Sequence, residues 1–569
     1  VDGAPLRPQL PRRESALSRL ADEEFDLLVV GGGATGAGVA RDAILRGLSV
    51  ALCEAGDFAG QTSSRSSRLI HGGLRYLQYG DLELVFEGLS ERRRLMSTAP
   101  HLCRPLEFLF PAYRGERPGL RTIGAGIALY NALSLWRPPA RRERLTPRAV
   151  YAASPSLRTA GLRGAQLYTD CQTDDGRLVI ENVLDAERTG AVTVSHLRVT
   201  SLRRDRAGRA RAAIAHDLES DRTVDVRAKV IVNATGPFSD AFDRGRRNLR
   251  PTMGVHLVLD AARLPLGGRA VVLRSPRDGR LFFALPAGRR SVIGTTDTDW
   301  RPARGDQTRE RARRGDGGDQ AQRAPTIDDE IRARREDVAY LLEAAAHAFP
   351  PARLEERDVI ATYAGLRPLI AAPAHTASAT SREHEISREP DGVVTVAGGK
   401  LTTFRRMAEQ TVDMVVELLR QRGVERAIGP CVTRTRPLPG AGESPPTVAD
   451  HELAPDVAQH LWAGYGTRAA AVLAIVDESP ELARRIDPEL PYLWAEIVHA
   501  AREEHALDVE DALARRIPLL REAHDQGLGA AERAADLMAR VLGWSPPRRA
   551  LSLTRFQAAV ASSRRWRED

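Results

Sequence analysis

The sequence predicts an α/β protein: a discontinuous Rossmann-like nucleotide-binding domain, an antiparallel-sheet substrate domain and a C-terminal helical domain. Three stretches carry that expectation. Residues 25–77 read as strand, glycine turn, helix, strand and acid, followed by a Ser- and Gly-rich segment. Residues 271–300, VVLRSPRDGRLFFALPAGRRSVIGTTDTDW, read as three strands joined by a D-G and an A-G turn. After Pro437 the chain runs through PLPGAGESPPT into sequence that is helical by period, as in DVAQHLWAGY, AEIVHAAREEHA and AAERAADLMARVL.

In the first stretch the apolar run Phe25 to Val30 makes a buried strand, and Gly31, Gly33 and Gly36 fill a G-x-G-x-x-G pattern. Such glycines allow a tight turn, bring backbone N–H groups up to a pyrophosphate and let the next helix pack on the strand. That helix is expected from Thr35 to about Arg46, ending at Gly47, and the second strand from Leu48 to Leu52. Glu54 follows that strand, where an acid accepts the ribose hydroxyls of an adenosine.

What comes next separates flavin from nicotinamide. A nicotinamide domain continues into another helix and strand, whereas this chain enters TSSRSSRLIHGGLRYL, Thr62 to Leu77. Thr62, Ser63, Ser64, Ser67, His71 and Gly72 are therefore expected to line a cofactor. A solvated Ser/Arg linker fits poorly, because the segment turns apolar and Gly-punctuated.

Two further strand-and-turn signatures extend the nucleotide-binding domain. In AKVIVNATGPFSDAF, Val230 to Val232 form a strand and Ala234, Thr235 and Gly236 bring backbone to its C-terminal edge, the ligand side of an open parallel sheet. In VVTVAGGKLTTFRRMAEQTVD a strand, a Gly-Gly turn and a helix start surround Gly399, Lys400, Leu401, Thr402 and Thr403. The chain has two lysines, Lys229 and Lys400, among 83 basic residues. A lysine surviving in so Arg-rich a composition marks Lys400 as a site wanting a compact ammonium; Lys229, in polar surroundings, reads as structural.

The expected partition is a polar tail at 1–24, a main region at 25–437 and a linker at 438–447, with the helical domain at 448–569. Within the main region the nucleotide-binding pieces span about 25–100, 155–250 and 355–430, and the substrate pieces about 101–154 and 251–354. Residues 301–325 are charged, Gly-rich and without period, and read as a disordered insertion.

At 569 residues the chain is long enough for two or three domains with a sizeable core. No run of some 18 apolar residues spans a bilayer, and residues 1–24 lack the apolar core of a signal peptide, so a cytoplasmic location is expected. Cys53, Cys103, Cys171 and Cys431 are too scattered for a metal motif, and no metal is expected. The net charge of +8 suits an anionic surface. Nucleic acid is not expected: there is no zinc-finger spacing, no aromatic RNA-binding motif and no long basic block.

Taken together, GGGATGAGVARDA with RGLSV, TSSRSSRLIHGGLRYL, APHL, YTDCQTDDGRLV, NATGPFSD, IGTTDT, AGLRPL and AGGKLTTFRRMAE resemble the FAD-dependent glycerol-3-phosphate dehydrogenases of the aerobic, respiratory type. The resemblance covers about 25–540. It implies non-covalent FAD, oxidation of glycerol 3-phosphate to dihydroxyacetone phosphate, and electrons passed to a membrane quinone. Arg75, Tyr76, His256, Arg367 and Arg382 are then substrate-binding residues, the arginines gripping the phosphate. His256, Arg367 and Lys400 are the catalytic candidates: His256 as base, Lys400 stabilising negative charge at the flavin. His71 is the alternative base, read here as contacting the flavin.

Two positions depart from the family pattern. Arg68 stands where a Lys is frequent, which keeps a cation. Met253, Gly254, Val255 and His256 replace a Lys-Gly-Ser-His, so position 253 carries no essential charge.

For the acceptor, TIGAGIALYNALSLW, Thr122 to Trp136, is uncharged and flanked by arginines. It suits an interfacial helix with Ile123, Ile127, Tyr130, Leu133 and Trp136 toward lipid, and with it peripheral attachment to an anionic membrane surface on the cytoplasmic face. An ordinary buried helix is the other reading. An oxidase using oxygen and a non-catalytic flavin-binding scaffold are the alternative functions, and a homodimer is the assembly expected if the chain self-associates.

Overall fold

The run Phe25–Val30 is apolar throughout because both of its faces are covered. In the computed structural model, which describes residues 10–135, 142–241, 249–300, 331–371, 384–442 and 453–569, β1 (Glu24–Val30) lies inside a parallel sheet between β2 (Val50–Cys53) and β10 (Thr223–Asn233). Leu27 and Val29 pack on one core, Leu28 and Val30 on another. Such two-sided burial is characteristic of parallel strands.

The sheet continues through β7 (Val192–Val194) beside β2, and through β18 (Val394–Gly398) and β17 (His384–Arg388) beyond β10. An antiparallel pair, β8 (Leu197–Arg204) and β9 (Ala210–Asp217), extends from β10. The helices α2 (Ala34–Leu45) and α6 (Asp175–Arg188) cover one face together with the helix Phe404–Gln421. The connection from β1 to β2 and the pairing of β1 with β10 diverge at the C-terminal end of β1, which opens a crevice there.

Residues 10–22, read from sequence as part of a polar tail, form the helix α1 (Leu10–Asp22). Leu17 and Leu20 explain why: both are buried against the second face of the sheet, with Phe25 and Leu28. Lys229 Nζ pairs with Asp26 at 3.0 Å, a structural position.

The second sheet has ten strands. Its centre is the expected meander of β12 (Ala270–Arg274), β13 (Leu281–Ala287) and β14 (Arg290–Gly294), turning at Asp278-Gly279 and Ala287-Gly288. On one side β14 pairs with β11 (Thr252–Asp260), and β11 with β15 (Thr298–Asp299) and β16 (Val359–Arg367). On the other, β12 pairs with β4 (Arg104–Tyr113), β4 with β6 (Leu162–Gln172), and β6 with β3 (Leu69–Ile70) and β5 (Arg142–Leu145). Met253 is buried in this domain's core, which explains why position 253 bears no charge.

Against the β4–β6 part of this sheet lie α4 (Leu120–Leu133) and the short α5 (Pro147–Ala153), with α3 (Leu82–Thr98) packed on α4. The structure corrects the reading of α4. Ile123, Ile127 and Tyr130, expected toward lipid, are buried against residues such as Phe108 and Leu89, since the apolar face of the helix is the one that covers the sheet. Trp136 and the 301–325 segment lie outside the described residues.

From Pro455 the chain is helical, with Pro455–Tyr465, Ala469–Glu478, Trp494–Glu503, Leu528–Leu542 and Pro546–Arg564 sharing a core of their own. Charge joins that core to the nucleotide-binding domain. Glu504 receives Arg177 of α6 at 2.5 and 2.8 Å and Arg468 at 2.9 Å, and Arg468 reaches back to Glu181 of α6 at 2.5 Å. Burial alone would raise the Glu504 carboxyl, but Arg177 and Arg468 outweigh it and hold the group well below the usual carboxylate range. A depressed native pKa gives stability that is present above the unfolded carboxylate value and lost as pH falls through the folded one. Glu504→Gln is expected to lower unfolding stability near pH 7 by about 3–5 kcal/mol, the usual cost of breaking a buried pair from one side, with the difference from the parent shrinking in acid. Denaturant titrations at two pH values measure both.

Candidate active site

At the end of β1 the chain turns through Gly31, whose φ is +106°. A Cβ there would sit 2.6 Å from the Ala234 carbonyl oxygen of the β10 loop, and one on Gly36 would sit 1.8 Å from the Gly31 oxygen. Only hydrogen lets β1, β10 and α2 approach this closely. Gly33 stands at the N-terminal end of α2, and Ser63 Oγ accepts from the Ala34 N–H at 2.9 Å. The Glu54 carboxylate follows β2 and accepts from the Gly32 N–H at 2.6 Å and the Gly56 N–H at 2.8 Å. Burial pushes its carboxyl up, opposed by those two donors.

A cavity of about 1020 Å³ opens above this turn and runs to the second sheet. Gly31, Gly33 and Glu54 line one end with Thr62, Ser63, Ser64, Ala234, Thr235 and Gly236. Ser67, His71, Tyr76, His256, Arg367, Gly399, Lys400, Leu401 and Thr402 line the other. Gly36, Gly72 and Thr403 do not reach it. Gly36 acts beneath the turn, and the Gly72 N–H donates to the Tyr130 hydroxyl at 2.7 Å. Thr403 Oγ1 donates to the Lys400 carbonyl at 3.3 Å. Arg382 and the Arg75 side chain lie outside the described residues.

The second end is built on two neighbouring strands. In the β11–β16 register Thr252, Gly254 and His256 lie opposite Arg367, Gly365 and Tyr363. Alternation along the strands places these residues on one face. Gly254 makes room for Arg367, whose Nη2 would come 2.4 Å from a Cβ at 254. Arg367 bonds the Asp297 carboxylate at 3.0 Å, Thr295 Oγ1 at 3.0 Å and the Thr296 carbonyl at 3.0 Å. Lys400 leaves the turn at Gly398 and Gly399, both at positive φ, and its Nζ stands 3.8 Å from the centroid of the Tyr76 ring.

His256 is 2% exposed. Its Nε2 shares a hydrogen bond with Ser67 Oγ at 2.8 Å, and its ring stacks on Tyr363 at 4.6 Å and 10°. The ring lies over Gly294 of β14, where a Cβ would meet ring Cδ2 at 2.1 Å. Burial holds the imidazole well below its usual pKa, helped by Arg367, Arg521 and Arg68. At neutral pH it is uncharged and has an acceptor nitrogen. His71 differs: its backbone N–H and carbonyl both engage Thr402 Oγ1 at 3.1 Å, which ties the Ser-rich segment to the Lys400 turn.

Sequence reading missed Tyr363, Asp297 and Arg521. The strand period would have found Tyr363, two and four residues before Gly365 and Arg367. Asp297 lies within the IGTTDT block. Arg521 has no local signal, since it reaches the site from the C-terminal helical domain. A possible metal grouping of His196, Glu219 and Asp508 is already neutralised. Arg548 bonds Glu219 at 2.9 Å and Asp508 at 2.7 Å, and Arg555 bonds Asp508 at 2.7 Å.

A glycine turn at the switch point of a parallel sheet, opening into a cavity shared with an antiparallel sheet, defines a flavin-dependent oxidoreductase. The sequence profile described as "FAD dependent oxidoreductase" matches residues 26–426, and that of the "C-terminal domain of alpha-glycerophosphate oxidase" matches 431–549. The "Glycerol-3-phosphate dehydrogenase 2" of Mycobacterium tuberculosis is 36% identical, covering 94% of this chain and 88% of its own length. The "Aerobic glycerol-3-phosphate dehydrogenase" of Staphylococcus saprophyticus is 32% identical, covering 94% of each. The crystal structure of the glycerol-3-phosphate dehydrogenase from Bacillus halodurans complexed with FAD superposes with a TM-score of 0.76 at 29% identity, over 97% of both chains. The chain belongs to the FAD-dependent glycerol-3-phosphate dehydrogenase family.

The turn fits the ADP half of FAD: unfilled space above Gly31 and Gly33, helix N–H groups at the start of α2, and the Glu54 carboxylate beyond β2. Gly36→Ala drives a methyl into the Gly31 carbonyl and should open that turn. The expected result is purified protein with little bound flavin, read as visible absorbance per chain, and low activity restored in part by added FAD.

Proposed function

We propose that the protein oxidises sn-glycerol 3-phosphate to dihydroxyacetone phosphate with FAD, and passes the electrons to a membrane quinone. The reading rests chiefly on one observation: His256, Arg367, Lys400 and Tyr76 line the same cavity as the glycine turn. The names of the relatives agree with it.

Bound FAD supplies the hydride acceptor. The chain supplies the rest. Neutral His256, which shares a hydrogen bond with Ser67, takes the proton of the substrate's secondary hydroxyl. Arg367, oriented by Asp297, holds the phosphate together with Arg75 and Arg382. Lys400, held over Tyr76, stabilises negative charge that develops beside it. Anaerobic bleaching of the flavin spectrum by glycerol 3-phosphate but not by glycerol tests the substrate assignment. In Arg367→Ala, KM for glycerol 3-phosphate should rise and kcat/KM fall by about 10²-fold, the value of a charge-assisted contact at a site. Equal turnover of glycerol and glycerol 3-phosphate by the parent would remove the phosphate grip.

The acceptor reading rests on the surface beside the cavity mouth. Leu82 and Phe86 of α3 and Leu129 and Leu135 at α4 are 44–58% exposed. The buried sides of these helices pack on Leu74 and Tyr76, which line the cavity. Arg121, Arg142 and Arg144 are exposed on α4 and the adjoining β5. Among the described residues no helix is long and apolar enough to cross a membrane, and exposed apolar side chains on two packed helices with arginines on the adjoining elements suit the interface of an anionic bilayer. Phe86→Asp with Leu129→Asp should release the protein from anionic vesicles and slow quinone reduction while dye reduction holds. The outward residues are the ones to change, because Ile127 belongs to the core. Stoichiometric hydrogen peroxide without quinone would favour oxygen as acceptor.

A further inference from the structure

The C-terminal helical domain contributes a side chain to the oxidation site. Arg521, on the short helix Leu519–Glu522, lines the same cavity and is 7% exposed. Its guanidinium carbon stands 4.4 Å from the centroid of the Tyr363 ring. His256 stacks on that ring at 4.6 Å, so the two groups cannot share one face, and the order is Arg521, Tyr363, His256, Ser67.

Arg521 differs from the other buried arginines of its domain. Arg468, Arg515 and Arg516 each meet carboxylates directly. Arg521 makes no ion pair among the described residues, and its Nε is buried without a hydrogen-bond partner among them. A guanidinium placed only to hold a seam would be paired, because an uncompensated buried charge is costly. Burial and the neighbouring Arg68 pull Arg521 down to about 10, which leaves it charged at neutral pH.

The geometry points to Arg521 as a positioning residue for the proton-accepting site: it braces Tyr363 against His256 and adds positive charge behind that imidazole. The inference rests on the reading of His256 as the base. The charged and titratable groups around His256 come from four sides. Tyr363 and Arg367 stand on β16, the latter paired with Asp297. Arg68 lies in the Ser-rich segment, 3.7 Å from Asp175 of α6. Arg521 and Glu522 belong to the C-terminal domain, and Glu522 accepts from the Tyr492 hydroxyl at 2.6 Å. Burial raises the carboxyls of both Asp175 and Glu522, and the charged neighbours that lower His256 beside its own burial are Arg367, Arg521 and Arg68. A neutral His256 is thereby preserved into acid, where an isolated imidazole would be protonated and lost as a base.

The test uses the full-length, FAD-loaded protein and Arg521→Gln, Arg521→Lys and His256→Asn, with kcat/KM for glycerol 3-phosphate measured against pH. Removing the cation raises the proton affinity of His256, so in Arg521→Gln the acid limb moves to higher pH. On that limb its kcat/KM, relative to its own plateau, should be lower than the parent's by about tenfold for each pH unit of displacement. Arg521→Lys keeps the charge and should keep the limb. Flavin content is expected to be unchanged in both. A uniform loss at every pH, with the limb where it was, overturns the inference and leaves Arg521 a packing residue. Should the glutamine variant lose FAD, Arg521→Met repeats the comparison. If His256→Asn retains the parent's limb, the base reading itself fails. The histidine titration followed by NMR, with the His256 signal assigned from its absence in His256→Asn, then decides for Arg521: an upward shift in Arg521→Gln supports it, and an unmoved titration ends it.

Discussion

The arrangement depends on a buried seam of arginine and carboxylate between the nucleotide-binding domain and the C-terminal helices. Arg177 and Glu181 on α6 face Glu504 and Arg468, and Asp57, just past Glu54, is held by Arg515 and by Arg516 at 2.5 and 2.7 Å. Pairs of this kind add little net stability over an apolar seam, but they tolerate only one registration of the two bodies. That registration fixes the cavity wall: the loop carrying Asp57 is the one that places Glu54, and the short helix after Arg516 carries Arg521 to Tyr363.

Within that frame the site is made by missing side chains as much as by present ones. Gly31 and Gly36 let two strands and a helix meet beneath the cofactor turn, Gly254 gives Arg367 its space, and Gly294 lets the His256 ring lie flat over β14. The same physical rule serves different ends in the two sheets. At the turn it lets two strands and a helix close beneath the cavity; at β11 and β14 it makes room for a guanidinium and a ring on the cavity wall.

The electrostatics follow from this crowding. His256 is surrounded by Arg367, Arg521 and Arg68 and remains neutral, while Lys400 is held over the aromatic face of Tyr76. The site therefore combines an uncharged imidazole with surplus positive charge, the combination that the proposed removal of a hydroxyl proton from a dianionic substrate requires. Arginine in place of lysine across the chain reinforces it, because a guanidinium stays charged when buried.

Much of this was legible in the residues. The glycine spacing, the strand end at Val30, the D-G and A-G turns and the position of Glu54 are dictated by local backbone geometry and by period, and these the sequence determined unaided. It also marked Lys400, through the strand and Gly-Gly turn that precede it, whereas His256 and Arg367 were marked only by the family resemblance of their blocks. Tertiary structure alone decided which face of α4 is core, since its stretch from Thr122 to Leu133 is uncharged and apolar on both sides and only the sheet beneath it selects Ile127 over Leu129. It alone decided that residues 10–22 are a packed helix, because two leucines find a sheet face that no local pattern announces. Arg521 is the extreme case: it lies 158 residues beyond Tyr363 in the chain, and their contact exists only because the ion-paired seam brings the C-terminal domain back onto the cavity.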